Sequence, residues 1–530
     1  MALPADDTAW PPLSVAPLYA DMVEADVWYQ GDGRRLASYY GTRVQRADDR
    51  AAAEAVLWSQ PQPLDEHERR VHVPLAGDIA STSADLLFAE PPVFTVEADP
   101  VAAEGAPATG TRSQRTVTQD RLDELVEDGG LHMRLLEAAE LAAALGDGYL
   151  ALAWDASLVR RPLVVPWSAD QAIPTFRYGM LTEVTFWREL SRVGDVVLRL
   201  LERHAVEGGD GLIEYRLCEG TSSNLGHRVP FTEHPDAAYL DALTGGTGRQ
   251  MTGIGLLTAT HIPNMRPNRA HRGYHGRSDF AAPVYGLFDS VDRTITSWLR
   301  DLRLGAGRVF IPPDFLEDLG PGQGAGFNAA TEFYEKLNMP PGSADGGGLT
   351  INQFSIRVAE HRESLEAFTV AAVRSCGYSA QTFGQAGDAA VTATEVVARE
   401  RRSMTTRARK AMYWKPALRR ILQALLALDA AVFDTGVEPV MPAVELGPVV
   451  ATDPESQART LQLLDAAGAI STWAKVSMLH PEWAEPEVAE EVERIRADTT
   501  TEADPWARAD AAGNQLDDAQ GDDAEEPAAV

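Results

Sequence analysis

The feature that most constrains the fold is an unbroken apolar stripe between Ser278 and Leu304. Apolar residues recur there at every third or fourth position, which is the period of one helix face. The pattern predicts a helix that Ser278 caps and that Gly305-Ala-Gly307 ends. The stripe extends over about 22 residues, or about 33 Å of helix, and such a face must be covered by another element or another copy. Its members are Val284, Leu287, Val291, Ile295, Trp298 and Leu302.

Two more helices are predicted beyond a Gly/Pro-rich segment, residues 305–357. One runs from about Val358 to Cys376 and the other from about Val391 to Leu428. Pro416 lies inside the longer helix and is expected to kink it near Trp414, because proline removes one backbone donor and crowds the preceding turn. The intervening stretch, residues 377–389, is predicted to be a polar loop.

Short β-like runs separated by Gly and Pro occupy residues 160–262, and they predict an antiparallel meander. Without strand–helix alternation there is no support for a parallel nucleotide-binding sheet. The fold class is therefore expected to be α+β. The runs are Leu163–Trp167, Glu183–Trp187, Val196–Leu201, Leu212–Cys218 and Gly255–His261.

The charge balance argues against a protein that holds phosphates tightly. The 530 residues include 47 Lys+Arg and 78 Asp+Glu, a net charge of −31, whereas phosphate affinity comes from clustered cations. Two cysteines exclude a disulfide framework. No secretory signal and no apolar run of membrane-spanning length is recognised, so we expect no membrane partner.

Motifs that carry catalysis or bind cofactors are not found. Gly-Lys never occurs, which excludes the phosphate-binding loop of nucleotide hydrolases. His67-Glu68 and His72 have the wrong spacing for a zinc helix, and His271 and His275 lie in a segment too rich in Gly and Pro to form one. We therefore expect no catalytic residue, metal or cofactor.

A basic cluster lies on the longest predicted helix, and it allows two interpretations. It could contact a nucleic-acid backbone. Alternatively it could be a solvated face or pair with acidic residues of a neighbouring copy, which we favour because the rest of the chain is acidic. The cluster includes Arg399, Arg402, Arg407, Arg409 and Lys410.

Several short motifs, taken in their order along the chain, resemble the portal proteins of tailed double-stranded DNA bacteriophages, of the type common in phages of high-GC actinobacteria. The resemblance covers roughly residues 20–500. The motifs are His72-Val-Pro-Leu-Ala, Ala89-Glu-Pro-Pro-Val-Phe94, Ala144-Leu-Gly-Asp-Gly-Tyr149, Gly276-Arg-Ser-Asp279 and Asp465-Ala-Ala-Gly-Ala-Ile-Ser471.

The resemblance implies a phage-portal architecture with a wing, a long-helix stem, a clip, a kinked tunnel helix and a helical C-terminal crown. The implied parts are an extended arm (1–19), the wing (20–275), stem helix 1 (276–304), the clip (305–357), stem helix 2 (358–376), the tunnel loop (377–390), the kinked helix with a wing strand (391–450), the crown (451–498) and an acidic disordered tail (499–530). The tail contains nine acidic residues and one basic residue, Arg508, and this composition by itself predicts disorder.

The resemblance also implies a function without catalysis. Portal proteins form a ring, usually a dodecamer, at one capsid vertex of the virion, and they are assembled in the host cytoplasm. Implied partners are double-stranded DNA passing through the channel, the terminase large subunit, the major capsid and scaffolding proteins, and a head-completion adaptor. Two alternatives are a head–tail connector or adaptor ring protein and, less favoured, a metal-dependent nucleic-acid hydrolase.

Within this architecture the tunnel loop is expected to be the narrowest DNA contact. It offers small polar groups and no Lys or Arg, which suits a surface along which phosphates must slide. The residues in question are Gln381, Thr382, Gln385, Asp388 and Thr392.

Overall fold

The computed structural model describes residues 3–46, 56–60, 70–96, 114–305, 308–310, 317–318, 325–326, 350–352, 356–384, 393–447, 454–480 and 485–503. The chain divides into two compact units, Met1–Gly447 and Pro448–Val530. The fold is a mixed α+β one, as predicted. No helix among the described residues is long and apolar enough to cross a membrane.

The helices of the larger unit are α1 (Ala16–Tyr29), α2 (Gly33–Arg46), α3 (Leu75–Phe88), α4 (Gln114–Asp128), α5 (Leu131–Leu145), α6 (Pro235–Leu243), α7 (Ala282–Leu304), α8 (Val358–Cys376) and α9 (Ala393–Phe433). Short 3₁₀ turns occur at Leu57–Ser59, Ala169–Gln171, Phe231–Glu233 and Ala380–Phe383.

The strands are β1 (Val93–Thr95), β2 (Asp147–Ala153), β3 (Leu163–Ser168), β4 (Ala172–Arg177), β5 (Met180–Val193), β6 (Val196–Glu207), β7 (Asp210–Thr221), β8 (Asn224–Val229), β9 (Arg249–Met251), β10 (Ala259–Pro263), β11 (Arg308–Phe310), β12 (Glu317–Asp318), β13 (Ala325–Gly326), β14 (Thr350–Asn352) and β15 (Ala443–Glu445).

The predicted meander is divided between two sheets. Strands β4 to β8 follow one another as antiparallel neighbours, and β9 pairs with β7. The first and last predicted runs belong instead to a three-stranded sheet with the order β10-β2-β3. Long-range pairing of β2 with β10, for example Leu150 opposite Thr260, closes that sheet and could not be read from local spacing.

The stripe-bearing helix forms nearly where predicted, but its N-cap is wrong. Helix α7 begins after Ala281, with Pro283 in its first turn, and ends at Gly305. Proline suits that position because its missing N–H has no helical partner there. Ser278 lies outside the helix, where its Oγ accepts from the Phe280 N–H at 3.2 Å.

The long helix α9 continues through Pro416 as one element, and the kink near Trp414 stays a prediction. Its C-terminal half supplies the centre of the larger unit's core. Trp414 packs edge-on against Phe88 of α3, with ring centroids 4.8 Å apart. The buried apolar residues that follow include Ala417, Leu418, Ile421, Leu422, Leu425 and Leu426.

The N-terminal segment departs from the predicted extended arm of residues 1–19, because α1 already begins at Ala16. Before it, Leu3 and Trp10 are buried against the six-stranded sheet. Trp10 packs edge-on against Trp187 at 5.2 Å, so this segment covers one face of the sheet.

Only fragments of the predicted clip are described. Strands β11 and β14 pair antiparallel, with Val309 opposite Ile351. Strands β12 and β13 form a second pair. The remainder of residues 306–355 lies outside the described residues.

The smaller unit contains α10 (Pro454–Ala466), α11 (Thr472–Leu479) and α12 (Glu485–Ala503). Val476, Val488 and Val492 form its buried cluster. Because α12 extends to Ala503, residues 499–503, which were predicted to begin the disordered tail, are helical. Residues 504–530 lie outside the described residues.

Candidate functional site at the base of the helical hairpin

Helices α7 and α8 form an antiparallel pair, which we call the stem hairpin. At its distal end the Trp298 ring stacks on His361, with centroids 6.0 Å apart and planes 9° from parallel. Asp301 accepts hydrogen bonds from Arg357 (2.7 Å) and His361 (2.9 Å). These contacts fix the position of α8 along α7, with His361 opposite Trp298.

The predicted stripe of α7 changes its exposure along the hairpin. Val284 and Val291 are buried, Leu287, Ile295 and Trp298 are half-buried, and Leu302 is 43% exposed. The proximal half of the stripe is therefore covered by this chain itself, and only the distal half is open to other molecules. Packing of the distal half against a sister copy stays a prediction.

Two carboxylates of α7, which sequence reasoning missed, attach the hairpin to the segment around residues 57–73. Asp292 accepts from His72 Nδ1 (2.8 Å), from Trp58 Nε1 (2.9 Å) and from the Val73 N–H (2.9 Å). Asp289 accepts from the Leu57 N–H at 2.8 Å. Burial raises the pKa of Asp289 above its ordinary value. No local pattern marks these residues, because their partners are more than 200 positions away in sequence.

At the base of the hairpin, two of the motifs singled out from the sequence are in direct contact. The buried Asp147 carboxylate accepts from the Gly276 N–H (2.7 Å), from His261 Nε2 (2.7 Å) and from His275 Nδ1 (3.0 Å). Burial opposes ionisation of Asp147, but the interactions with His261 and His275 outweigh it and lower the pKa of Asp147. This carboxylate thereby holds the chain just before α7 against β2 and β10.

Glycine is required at two positions of this contact. Gly146 has φ of +101°, a region that other residues rarely adopt. A Cβ on Gly276 would collide with the Gly146 carbonyl oxygen and lie 2.8 Å from the Asn264 nitrogen. Both obstacles are backbone atoms, so a side chain at Gly276 would force the two segments apart.

A second buried carboxylate, that of Asp279, connects α9 to the two chain segments at the base of the hairpin, one before α7 and one after α8. Asp279 Oδ2 accepts from Lys410 Nζ (2.6 Å) and from the Tyr378 hydroxyl (2.7 Å), and Lys410 also donates to Ser83 of α3 (2.5 Å). Burial lowers the pKa of Lys410 and raises that of Tyr378. The segments just before α7 and just after α8 therefore meet at one ion pair.

The beginning of the predicted tunnel loop is attached to α9 and is more ordered than expected. The hydroxyls of Ser379 and Thr382 lie 2.9 and 2.8 Å from that of buried Ser403. Thr406 Oγ1 donates to the Gly377 carbonyl at 2.6 Å. Gln381 and Thr382 thus belong to a 3₁₀ turn held on α9, whereas Gln385, Asp388 and Thr392 lie outside the described residues.

The basic cluster does not act as one surface. Lys410 is buried in the ion pair above, and Arg407 donates to the carbonyls of Leu86 and Gly447 within the same chain. Lys410 is therefore not available to DNA or to a neighbouring copy, because its cation is buried in that ion pair. For half-buried Arg407 the role stays a prediction. Arg402 and Arg409 are exposed, and the side chain of Arg399 lies outside the described residues.

Among the described residues, no group of three or more His, Cys, Asp or Glu side chains is placed to hold a metal ion. His275, weighed in the sequence as a ligand, donates to Asp147 instead. The site is thus a structural junction, which attaches a partly exposed hairpin to a mixed α+β body.

Comparison with solved structures gives distant similarities. The chain is 14% identical to a chain of the neck of an empty gene transfer agent (GTA) particle, computed with C6 symmetry; the match covers 77% of this chain and 90% of that one, with a TM-score of 0.38. The chain is also 14% identical to a chain of the native GTA virion. That match covers 90% of this chain and 96% of the virion chain, with a TM-score of 0.37.

No curated protein sequence matches the chain. The sequence profile of the family described as "Phage portal protein, SPP1 Gp6-like", however, matches residues 20–504, nearly the full length of the chain. The chain belongs to the SPP1 Gp6-like family of phage portal proteins, structural proteins that form a ring at one vertex of the capsid and have no enzymatic activity.

Proposed function

We propose that this portal ring is the passage through which double-stranded DNA enters the capsid during packaging and leaves it during ejection. The ring is proposed to contain twelve copies, to be assembled in the host cytoplasm, and to dock the terminase large subunit. Major capsid and scaffolding proteins and a head-completion adaptor are its other proposed partners.

The observation that carries this proposal is the graded burial of the stem hairpin. At its base Asp279, Phe280 and Phe288 are at most 3% exposed, whereas Leu299 and Leu302 near its distal end are 37% and 43% exposed. An element that is firmly held at one end and open at the other is suited to packing side by side with identical elements around an axis.

The charge of the chain supports DNA passage. A channel built from many copies of a protein with a net charge of −31 does not bind phosphates tightly, so a duplex can slide through it. A cationic wall would release counterions from the duplex and hold it in place.

We assign the remaining parts by their place in the chain. The clip (305–357) is proposed to face terminase and then the adaptor, and the tunnel loop (377–390) to approach the DNA. The crown is residues 451–498. Exposed Arg402 and Arg409 on α9 are proposed to contact a neighbouring copy.

The direct test is negative-stain imaging combined with native mass measurement of the purified full-length protein. Closed rings with a central hole, of one copy number, are expected. A population made only of monomers, at concentrations up to tens of micromolar, would contradict the proposal.

A further inference from the structure

The outer faces of the stem hairpin carry opposite charges, and this asymmetry goes beyond the family assignment. On α7, Arg300 and Arg303 are exposed, and neither forms an ion pair with any residue that the structure describes. On α8, Glu360 and Glu363 are exposed and likewise have no ion-pair partner in the described chain. Exposed Glu366 of α8 also has no ion-pair partner among the described residues, and neither has exposed Arg362, so the first three turns of α8 carry three such glutamates and one such arginine. Unpaired cations therefore predominate on the distal part of α7, and unpaired anions predominate on α8.

The stacked pair of Trp298 and His361 defines which way these side chains point. Both rings lie between the two helices, so they mark the inner face of each helix. Arg300 and Arg303 follow Trp298 by two and five residues, which turns them about 200° and about 140° away from it. Glu363 follows His361 by two residues and is turned away by the same about 200°. Glu360 precedes His361 by one residue and is turned about 100° from it, so it lies on the side of α8. The cations thus face outward from α7, and the anions lie on the outer and lateral faces of α8.

The charges also lie at similar heights along the hairpin. Taking Trp298 and His361 as one level, Arg300 lies about 3 Å and Arg303 about 8 Å toward the distal end. Glu360 lies about 1.5 Å toward the same end and Glu363 about 3 Å the other way, because α8 runs in the opposite direction. Arginine side chains of one hairpin can reach both glutamates of another hairpin placed beside it.

Apolar surface accompanies the charges on both faces. Leu299 and Leu304 are 37% and 42% exposed beside the two arginines, and small Ala359 is exposed beside Glu360. Large apolar side chains on one surface and a small one on the other allow two helices to approach closely. Such a patch, rimmed by charge, is typical of a protein–protein contact.

We propose that the Arg300–Arg303 face of one copy binds the Glu360–Glu363 face of the next copy in the ring. The contact joins two different surfaces, and a head-to-tail contact of this kind propagates around an axis until the ring closes. The opposite charges select that order, because two like faces would repel each other. The inference rests on the proposed ring and names the surfaces that hold it together.

The test is a charge exchange in the full-length protein. R300E/R303E and E360R/E363R should each raise the protein concentration needed for half-maximal ring formation by about tenfold or more, since each places like charges opposite each other. The combined variant, with all four substitutions, should restore ring formation to within a few-fold of the wild-type protein. R34E/R177E, which changes two exposed wing arginines by the same net charge, should form rings normally.

Monomer integrity is followed by the thermal unfolding midpoint of each variant, which should stay within a few degrees of the wild-type value. Full ring assembly by both double variants would overturn the inference while leaving the proposed ring intact, whereas absence of rings from the wild-type protein would overturn the proposed function itself. A third outcome is that E360R/E363R forms normal rings but retains DNA in assembled particles. The glutamates would then line the channel, and this result would also overturn the inference.

Discussion

The Lys410 ammonium lies 2.6 Å from the Asp279 carboxylate, and both side chains are at most 1% exposed. The two residues are 131 positions apart in sequence, in α9 and in the segment before α7. Their pairing therefore determines where the hairpin leaves the body of the protein.

Removing one partner of this pair should strongly destabilise the protein. K410M leaves the Asp279 carboxylate buried without its cation, and loss of one partner of a buried pair costs about 3–5 kcal/mol. Denaturant unfolding followed by tryptophan fluorescence should show this loss. The double variant K410M/D279L should be clearly more stable than K410M alone, because it removes the uncompensated charge as well. Equal stability of the wild-type protein and K410M would contradict the role of the pair.

The Asp147 carboxylate should make stability fall in acid. Its pKa lies below the ordinary value of 3.8 in the folded protein, so its contribution is complete above that value and is lost as the pH falls through the lower folded value. The free energy of unfolding of the wild-type protein should thus decrease more steeply below about pH 4 than that of D147N. Exposed Asp195 provides the control, and D195N should keep the wild-type slope. Parallel pH profiles for D147N and the wild-type protein would be inconsistent with this assignment.

Two glycines near the hairpin should respond oppositely to alanine. G276A introduces a Cβ into contact with backbone atoms of Gly146 and Asn264, and we expect loss of soluble folded protein or a destabilisation of several kcal/mol. G286A has open space around its new Cβ on an exposed face of α7, and it should stabilise by about 0.5–1 kcal/mol. Thermal unfolding of the two variants measures both effects. A tolerated G276A would show that the two motifs can separate without cost.

Arginine in the tunnel loop should slow DNA movement. Q385R/D388R adds three positive charges per copy at the proposed narrowest point, where each cation can hold a phosphate. Packaging rate and the DNA content of particles should both fall, and higher salt should partly restore them. S222R/D195R adds the same charge on exposed wing positions and should package normally. Unchanged packaging by Q385R/D388R would argue against this loop as the DNA contact.

The family assignment decides among the functions weighed from the sequence. The portal resemblance is confirmed by a match over residues 20–504. A hydrolase is excluded because the family is structural. A portal is favoured over a connector or adaptor ring because the matched family is one of portal proteins.

The sequence alone determined most of the helices around the hairpin. The periodicity around Val284 and the glycines at 305 and 377 place both stem helices within a few residues of their observed bounds. These signals are local, because helix formation and termination depend on residues within one or two turns. For the same reason β5, β6 and β7 were predicted, although β4 and β8, which also pair with their sequence neighbours, were not.

Only the tertiary structure decided what the charged residues do. Lys410 and Arg402 belong to the same basic run, yet Lys410 is fully buried and Arg402 is exposed. The motifs around Asp147 and Gly276 were both noticed in the sequence. Their contact joins residues 129 positions apart, so only the folded structure shows it. Burial and partner identity depend on which distant segments pack together, and that information is absent from any local pattern of residues.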